Sequence, residues 1–278
     1  MQQWADTQWR LVCALVAVAV MLGGQTAGAA DAEAAGGGAD SQELAKKLQN
    51  PVASLISVPF QHNFDFGLGP DDDYRYTLNV QPVIPISLTK DWNLISRTIL
   101  PVIYQPELVS GTGNTFGLGD TTQSLFLSPV ESPVIWGVGP VMLLPTATDD
   151  LLGGDQWGAG PTGVALKQSG HWTYGILANH IWSFGSDHDH ADVNATFLQP
   201  FGSYTTKKAT SFTLNTESTY DWTGSHWTIP FNLQVSQVLK LGKQPVSIGL
   251  GGRYYAEAPA QGPEWGIRLL FVLLFPKG

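Results

Sequence analysis

The sequence predicts an all-β fold: a transmembrane antiparallel β-barrel of about twelve strands preceded by a short N-terminal helix. Three observations carry that prediction: strict period-two alternation, connections that alternate between short and longer, and charges that sort with the connections. In Trp227, Ile229, Phe231, Leu233 and Val235 the interleaved residues are Thr228, Pro230, Asn232, Gln234 and Ser236. The final stretch places Arg268 on the parity opposite Trp265, Ile267, Leu269, Phe271, Leu273 and Phe275. Such alternation means a strand whose two faces meet two different solvents. Large apolar residues on one face, with aromatics at the strand ends, fit lipid outside and water or polar side chains inside.

Taken from the N-terminus, Arg10 is followed by an apolar run from Leu11 to Leu22 and then by the small residues Ala27, Gly28, Ala29 and Ala30. This pattern predicts a secretory signal peptide over residues 1–30, cleaved near Ala29 or Ala30. Cys13, the one cysteine of the 278 residues, lies within it, which removes disulfides and thiol chemistry from the mature chain. No later stretch reaches the roughly 18 apolar residues of a membrane helix, so a spanning fold must be a closed barrel. Residues 31–40 are Ala/Gly-rich and read as a flexible leader. Asp40 with Glu43, then Leu44, Lys46, Lys47 and Leu48, reads as a short periplasmic helix stopped by Pro51. The barrel then occupies residues 52–278.

Strands are expected at 52–66, 74–86, 92–105, 117–128, 134–145, 157–168, 172–184, 193–204, 210–222, 227–241, 245–255 and 265–275. The connections 87–91, 129–133, 169–171, 205–209 and 242–244 are short, and those between them are mostly longer. Lys90, Lys207, Lys208 and Lys243 sit in the short turns, whereas Asp71, Asp72, Asp73, Glu107, Asp149, Asp150, Asp155, Asp187, Asp189, Asp192, Glu257 and Glu264 occupy the other set. Short periplasmic turns and longer external loops are the outer-membrane pattern, and the predicted location is the bacterial outer membrane. Pro59, Pro82, Pro101, Pro140, Pro161, Pro200 and Pro230 fall inside the expected strands, where each removes a ladder donor and calls for a bulge or break. The partners expected are outer-membrane lipid, small solutes and the barrel assembly machinery, which would read the terminal Phe275.

The net charge of -9 argues against nucleic acid, because no basic stripe is present to displace counterions. Gly158, Gly160 and Gly163 spell a G-x-G-x-x-G, but a polar loop precedes them and Val164, Leu166 and Gln168 continue as strand, so no dinucleotide site is expected. An aromatic-Gly-x-Gly unit recurs at 66–69, 116–119, 136–139 and 157–160, where glycine would permit bending beside an interfacial ring. Asp187, His188, Asp189, His190 and Asp192 lack both a zinc spacing and a calcium-loop glycine, so a solvated acidic loop is the stronger reading. His180 and Ser183, near Asn179, point to opposite faces of one strand and cannot form a dyad within it. No enzyme, no catalytic residue, no metal and no cofactor is therefore expected.

The inward-facing charges are the candidate lumen and solute-binding residues: Asp65, Arg75, Glu217, Asp221, Arg253 and Arg268. Symmetric pairing about Pro70 sets Asp65 opposite Arg75, which reads as a structural ion pair at the rim. Arg253 and Arg268 face the lumen near each other, with Glu217 and Asp221 two strands away. Like charges side by side destabilise a sheet unless acids or an anion compensate.

The segments LAKKLQNPVASLISVPF (44–60), YTLNVQPVIPI (76–86), DWNLISRTILPVIYQ (91–105) and GVGPVMLLPTATDDL (137–151), with Gly252 to Tyr255 and Trp265–Gly266, resemble a family of bacterial outer-membrane barrels. That family is related to the meta-pathway phenol-degradation transporter-like proteins, some of which carry the misleading label "neuromedin U". The resemblance implies a barrel and solutes that include aromatic or hydrophobic compounds; it supplies no catalytic residues. The function expected is a passive channel or transporter for small solutes. Two alternatives stand beside it: a closed barrel with a structural or surface-interaction role, and a soluble periplasmic β binding protein.

Overall fold

The computed structural model describes residues 33–108, 111, 113–184 and 192–276, with side chains from residue 40 onward. The expected signal peptide, with Cys13, lies outside the described residues. A helix, α1, runs Glu33–Leu48 and so begins before the expected Asp40. No described helix is long and apolar enough to cross a membrane.

Fifteen β-segments form one antiparallel sheet in which three pairs of segments continue one another, giving twelve strands that close into a barrel. The strands are β1 (Ile56–Leu68), β2 (Asp73–Val80 and Val83–Ser87), β3 (Trp92–Gln105) and β4 (Thr115–Leu118 and Thr121–Pro129). They continue as β5 (Ile135–Leu144), β6 (Trp157–Ser169), β7 (Trp172–Phe184) and β8 (Asn194–Thr205). The last four are β9 (Thr210–Thr216 and Ser218–Asp221), β10 (His226–Leu241), β11 (Gln244–Glu257) and β12 (Trp265–Phe275). Each strand pairs with its neighbours in sequence. Closure comes from β1 on β12, with Ile56 opposite Phe275 and Phe66 opposite Trp265. Closing the ring pairs every edge, which is the condition for a sheet to exist in hydrocarbon.

The burial profile is the inverse of a soluble domain. Phe231, Leu233 and Val235 on β10, Ile248 and Leu250 on β11, and Trp172, Tyr174 and Ile176 on β7 are exposed, whereas Asn63, Asp65, Thr213, Asn232, Ser236, Ser247 and Arg268 are buried. An apolar exterior over a polar interior is stable only in lipid, so the soluble-protein alternative falls. Trp157, Trp172, Trp182, Trp222, Tyr254, Trp265 and Phe275 stand exposed at or beside strand ends, in the positions of interfacial girdles.

Several of the prolines lie where the ladder breaks or slips. Pro82 splits β2; beside it Gln81 N–H donates to the Pro59 carbonyl, and the Pro82 carbonyl accepts from Thr98 N–H. Pro140 and Pro161 face each other across β5 and β6. On either side of that pair, regular pairing lapses between Ser124 and Leu127 of β4 and between Ala159 and Thr162 of β6. Gly139 and Gly160 account for two of the four aromatic-Gly-x-Gly units: a Cβ on either would collide with a neighbouring-strand carbonyl, that of Leu125 or His180. Pro230 sits at a register shift in β10, opposite the gap in β9 at Glu217.

The chain leading into the barrel folds inside the end at which β1 begins and β12 finishes. Leu44, Ala45, Leu48, Ala53 and Leu55 pack on Val238, Val272 and Leu274, while Val52 packs on the other side with Ile95, Phe126 and Leu177. Hydrogen bonds fix this segment to the wall: Gln168 Nε2 to the Lys46 carbonyl (2.9 Å), Thr213 Oγ1 to Gln49 Oε1 (3.0 Å) and Asn93 Nδ2 to Ser54 Oγ (3.0 Å). Lys47, 2.7 Å from Glu43, holds that carboxyl below the usual carboxylate range.

Candidate functional site

The lumen is crossed by a belt of charge, and strand register explains its geometry. One cross-strand row runs Arg75, Asp65, Gly266, Arg253 and Asn232; the next runs Thr77, Asn63, Arg268, Gly251 and Gln234. The glycines make room. A Cβ on Gly266 would lie 2.7 Å from Asp65 Oδ1, so the bare backbone of β12 lets Asp65 reach over it to Arg253.

Arg253 Nη1 lies 3.1 Å from Asp65 Oδ1, to which the Tyr255 hydroxyl also donates at 2.9 Å. The Arg253 guanidinium carbon is 5.2 Å from the Tyr255 ring centroid, within cation–π range. Arg268 is held more fully. Its Nη1 and Nη2 donate to the two Glu217 oxygens at 2.8 Å each, and its Nε donates to Asn63 Oδ1 at 2.8 Å. This two-point fork is the strong form of a carboxylate–guanidinium pair. Glu217 Oε2 also lies 3.8 Å from Arg253 Nη2, so one carboxylate bridges both arginines and offsets their repulsion. The break in β9 and the register shift at Pro230 place Glu217 there.

Of the six residues singled out from sequence, Asp65, Glu217, Arg253 and Arg268 come together in this belt. Arg75 stands opposite Asp65 in register, as expected, but the expected ion pair is not made: Asp65 turns instead to Arg253, across Gly266. Asp221 does not join the belt. Its carboxylate accepts from Thr223 N–H and Gly224 N–H in the β9–β10 turn, and it lies 3.9 Å from His226. Sequence reasoning also missed Arg97, Tyr255 and Asn63. Arg97 was hidden because both faces of β3 are mixed there: Ser96 and Thr98 on one, Arg97 between Ile95 and Ile99 on the other. Arg97 Nη2 donates to Gln81 Oε1 at 3.1 Å. With it the cavity lining includes, among the described residues, four arginines, Arg75, Arg97, Arg253 and Arg268, beside the two carboxylates of the belt.

Two cavities meet at this belt, both lined by Glu217 and Phe197. The outer one, about 380 Å³, lies beside Arg75, Arg253, Tyr255 and Leu108, under the loop Pro259–Pro263. The inner one, about 530 Å³, has Gln61, Gln81, Arg97, Gln234 and Arg268 among its polar lining and Leu143, Ile181, Val193 and Phe201 among its apolar lining. The remaining motifs resolve differently. Gly158, Gly160 and Gly163 all lie within β6. Ser183 Oγ accepts from Val193 N–H, while His180 Nδ1 lies 2.7 Å from Thr196 Oγ1, so His180 and Ser183 do not meet. Asp187, His188, Asp189 and His190 lie outside the described residues, among which no group of three potential ligands could hold a metal ion.

No protein-family profile and no characterised protein sequence matches the chain. Solved structures do. The COG4313 outer membrane channel from Pseudomonas putida F1 superposes with a TM-score of 0.61 at 19% identity, covering 80% of this chain and 94% of that one. Outer membrane phospholipase A from Escherichia coli gives 0.46 at 11% identity, covering 81% and 100%. The KdgM porin in complex with disordered oligogalacturonate gives 0.42 at 10% identity, covering 80% and 99%. The chain thus has the fold of an outer-membrane β-barrel. One expectation needs correcting: similar barrels include a phospholipase, so the statement that this chain is no enzyme does not stand on its fold.

Proposed function

We propose that the protein is a passive outer-membrane channel for small solutes, with the Asp65–Arg253–Glu217–Arg268 belt as its selective constriction. The observation that carries this reading is the lumen itself. A barrel of about eight strands is filled by side chains, and one of about sixteen leaves an aqueous channel. Here the twelve-stranded barrel encloses two cavities in series, of about 530 and 380 Å³, on either side of a charged belt. The fold shared with the COG4313 outer membrane channel supports the same reading. The resemblance to phenol-degradation transporter-like barrels, together with the apolar lining of the inner cavity, supports solutes that include small aromatic or hydrophobic compounds.

A second reading, a closed barrel with a structural role, is favoured by one observation: the segment Leu44–Leu55 packs into the periplasmic end. Conductance of the purified protein in planar lipid bilayers decides between them. The channel reading expects discrete current steps whose reversal potential shifts towards cations in an Arg253→Ala, Arg268→Ala variant that still folds. A folded wild-type barrel that passes no ions supports the structural role instead.

A further inference from the structure

Arg97 differs from the two arginines that pair with Asp65 and Glu217. Arg253 and Arg268 each have a carboxylate within 4 Å, whereas no described carboxylate comes that close to Arg97. Its single hydrogen bond among the described residues, to Gln81 Oε1, uses one of five N–H donors. Gln81 is itself fixed: it is 8% exposed, and its N–H is held by the Pro59 carbonyl at the break in β2. The guanidinium is therefore oriented by one neutral partner on the wall of the inner cavity; Glu217 offsets its charge only from beyond 4 Å, while paired in two-point geometry with Arg268.

The same cavity carries an apolar lining formed by Leu143, Ile181, Val193 and Phe201. Its volume, about 530 Å³, lies within the range of small-molecule sites. We propose that the inner cavity is a binding site for a small organic monocarboxylate, its carboxylate on Arg97 and its apolar body against the Ile181–Phe201 side. The planar fork of a guanidinium matches a carboxylate in two-point geometry. A doubly charged phosphate is disfavoured, because the other cations of this lining, Arg268 and Lys47, are already paired with Glu217 and Glu43. An inorganic anion would leave the apolar lining without a partner. This deepens the channel reading by naming a solute class, and it rests on that reading only for the solute's route to the cavity.

The test uses benzoate, benzamide and acetate on the full-length barrel in detergent, with binding followed by calorimetry. Conductance of the same preparation is measured separately. Benzoate is expected to bind at least about tenfold more tightly than benzamide, which lacks the charge, and than acetate, which lacks the apolar body. Arg97→Gln should weaken benzoate by about tenfold to a hundredfold and leave benzamide unchanged, with Arg97→Lys intermediate. Ile181→Ala should weaken benzoate but not acetate, and it keeps the test intact if Arg97→Gln does not fold. Equal binding of benzoate and benzamide to the wild type overturns the inference, as does benzoate affinity indifferent to Arg97 in a folded variant. Conduction without such binding removes this site and leaves the channel standing; Arg97-dependent binding without conduction does the reverse.

Discussion

Glu217→Gln is the sharpest perturbation of the belt, because it removes one charge while keeping the side chain's size and one of its acceptors. In the native barrel Glu217 accepts two hydrogen bonds from Arg268, which is 3% exposed, and lies 3.8 Å from Arg253. Leaving a buried charge without its partner costs about 3–5 kcal/mol. Glu217 is 20% exposed to the lumen, and glutamine still accepts from one guanidinium nitrogen, so the expected loss is nearer 2–3 kcal/mol. Arg268→Gln should cost a similar amount, and the double variant should cost less than the sum by about 1–3 kcal/mol. Equilibrium unfolding in lipid vesicles by urea, read by tryptophan fluorescence and by the heat-modifiable band, measures all three. A Glu217→Gln barrel within about 0.5 kcal/mol of wild type, or strictly additive losses, would refute the claim that this carboxylate holds the two arginines together.

Three further expectations concern other parts of the barrel. Phe231 is 45% and Leu269 37% exposed on the lipid face, so Phe231→Arg or Leu269→Arg should reduce folding stability by about 2–4 kcal/mol. Gln234→Arg, which adds its charge beside the inner cavity, should be tolerated, and equal loss of the folded band in all three would reject the face assignment. Leu44→Asp with Leu48→Asp should loosen the segment packed on Val238, Val272 and Leu274 and raise single-channel conductance, whereas unchanged conductance would show that this segment does not limit flow. Neutralising Asp71 and Asp72 in the exposed β1–β2 turn and Asp73 at the start of β2 should shift ion preference only at low salt, since screening acts over about 10 Å at 0.1 M; a shift that persists in molar salt would place these residues in the conduction path.

Strand order, strand number and the lipid-facing surface were legible in the sequence because period-two alternation is a local property. β3, β7 and β12 span the expected residues 92–105, 172–184 and 265–275, and the even count and the alternating turns follow from neighbouring segments alone. What sequence could not supply was which inward charges meet. Asp65 had a register partner in Arg75, one hairpin away, yet its ion pair forms with Arg253, a residue brought beside it only when β1 closes on β12 and Gly266 clears the space between them. Glu217 bridges Arg253 and Arg268 because a strand break and a register shift, three strands from the closure, place it in their reach. Arg97 carried no signal at all on a strand whose two faces are both mixed. Alternation along a strand assigns each side chain to a face; the shear and closure of the barrel decide which side chains on that face share a row, and electrostatic pairing depends on the row.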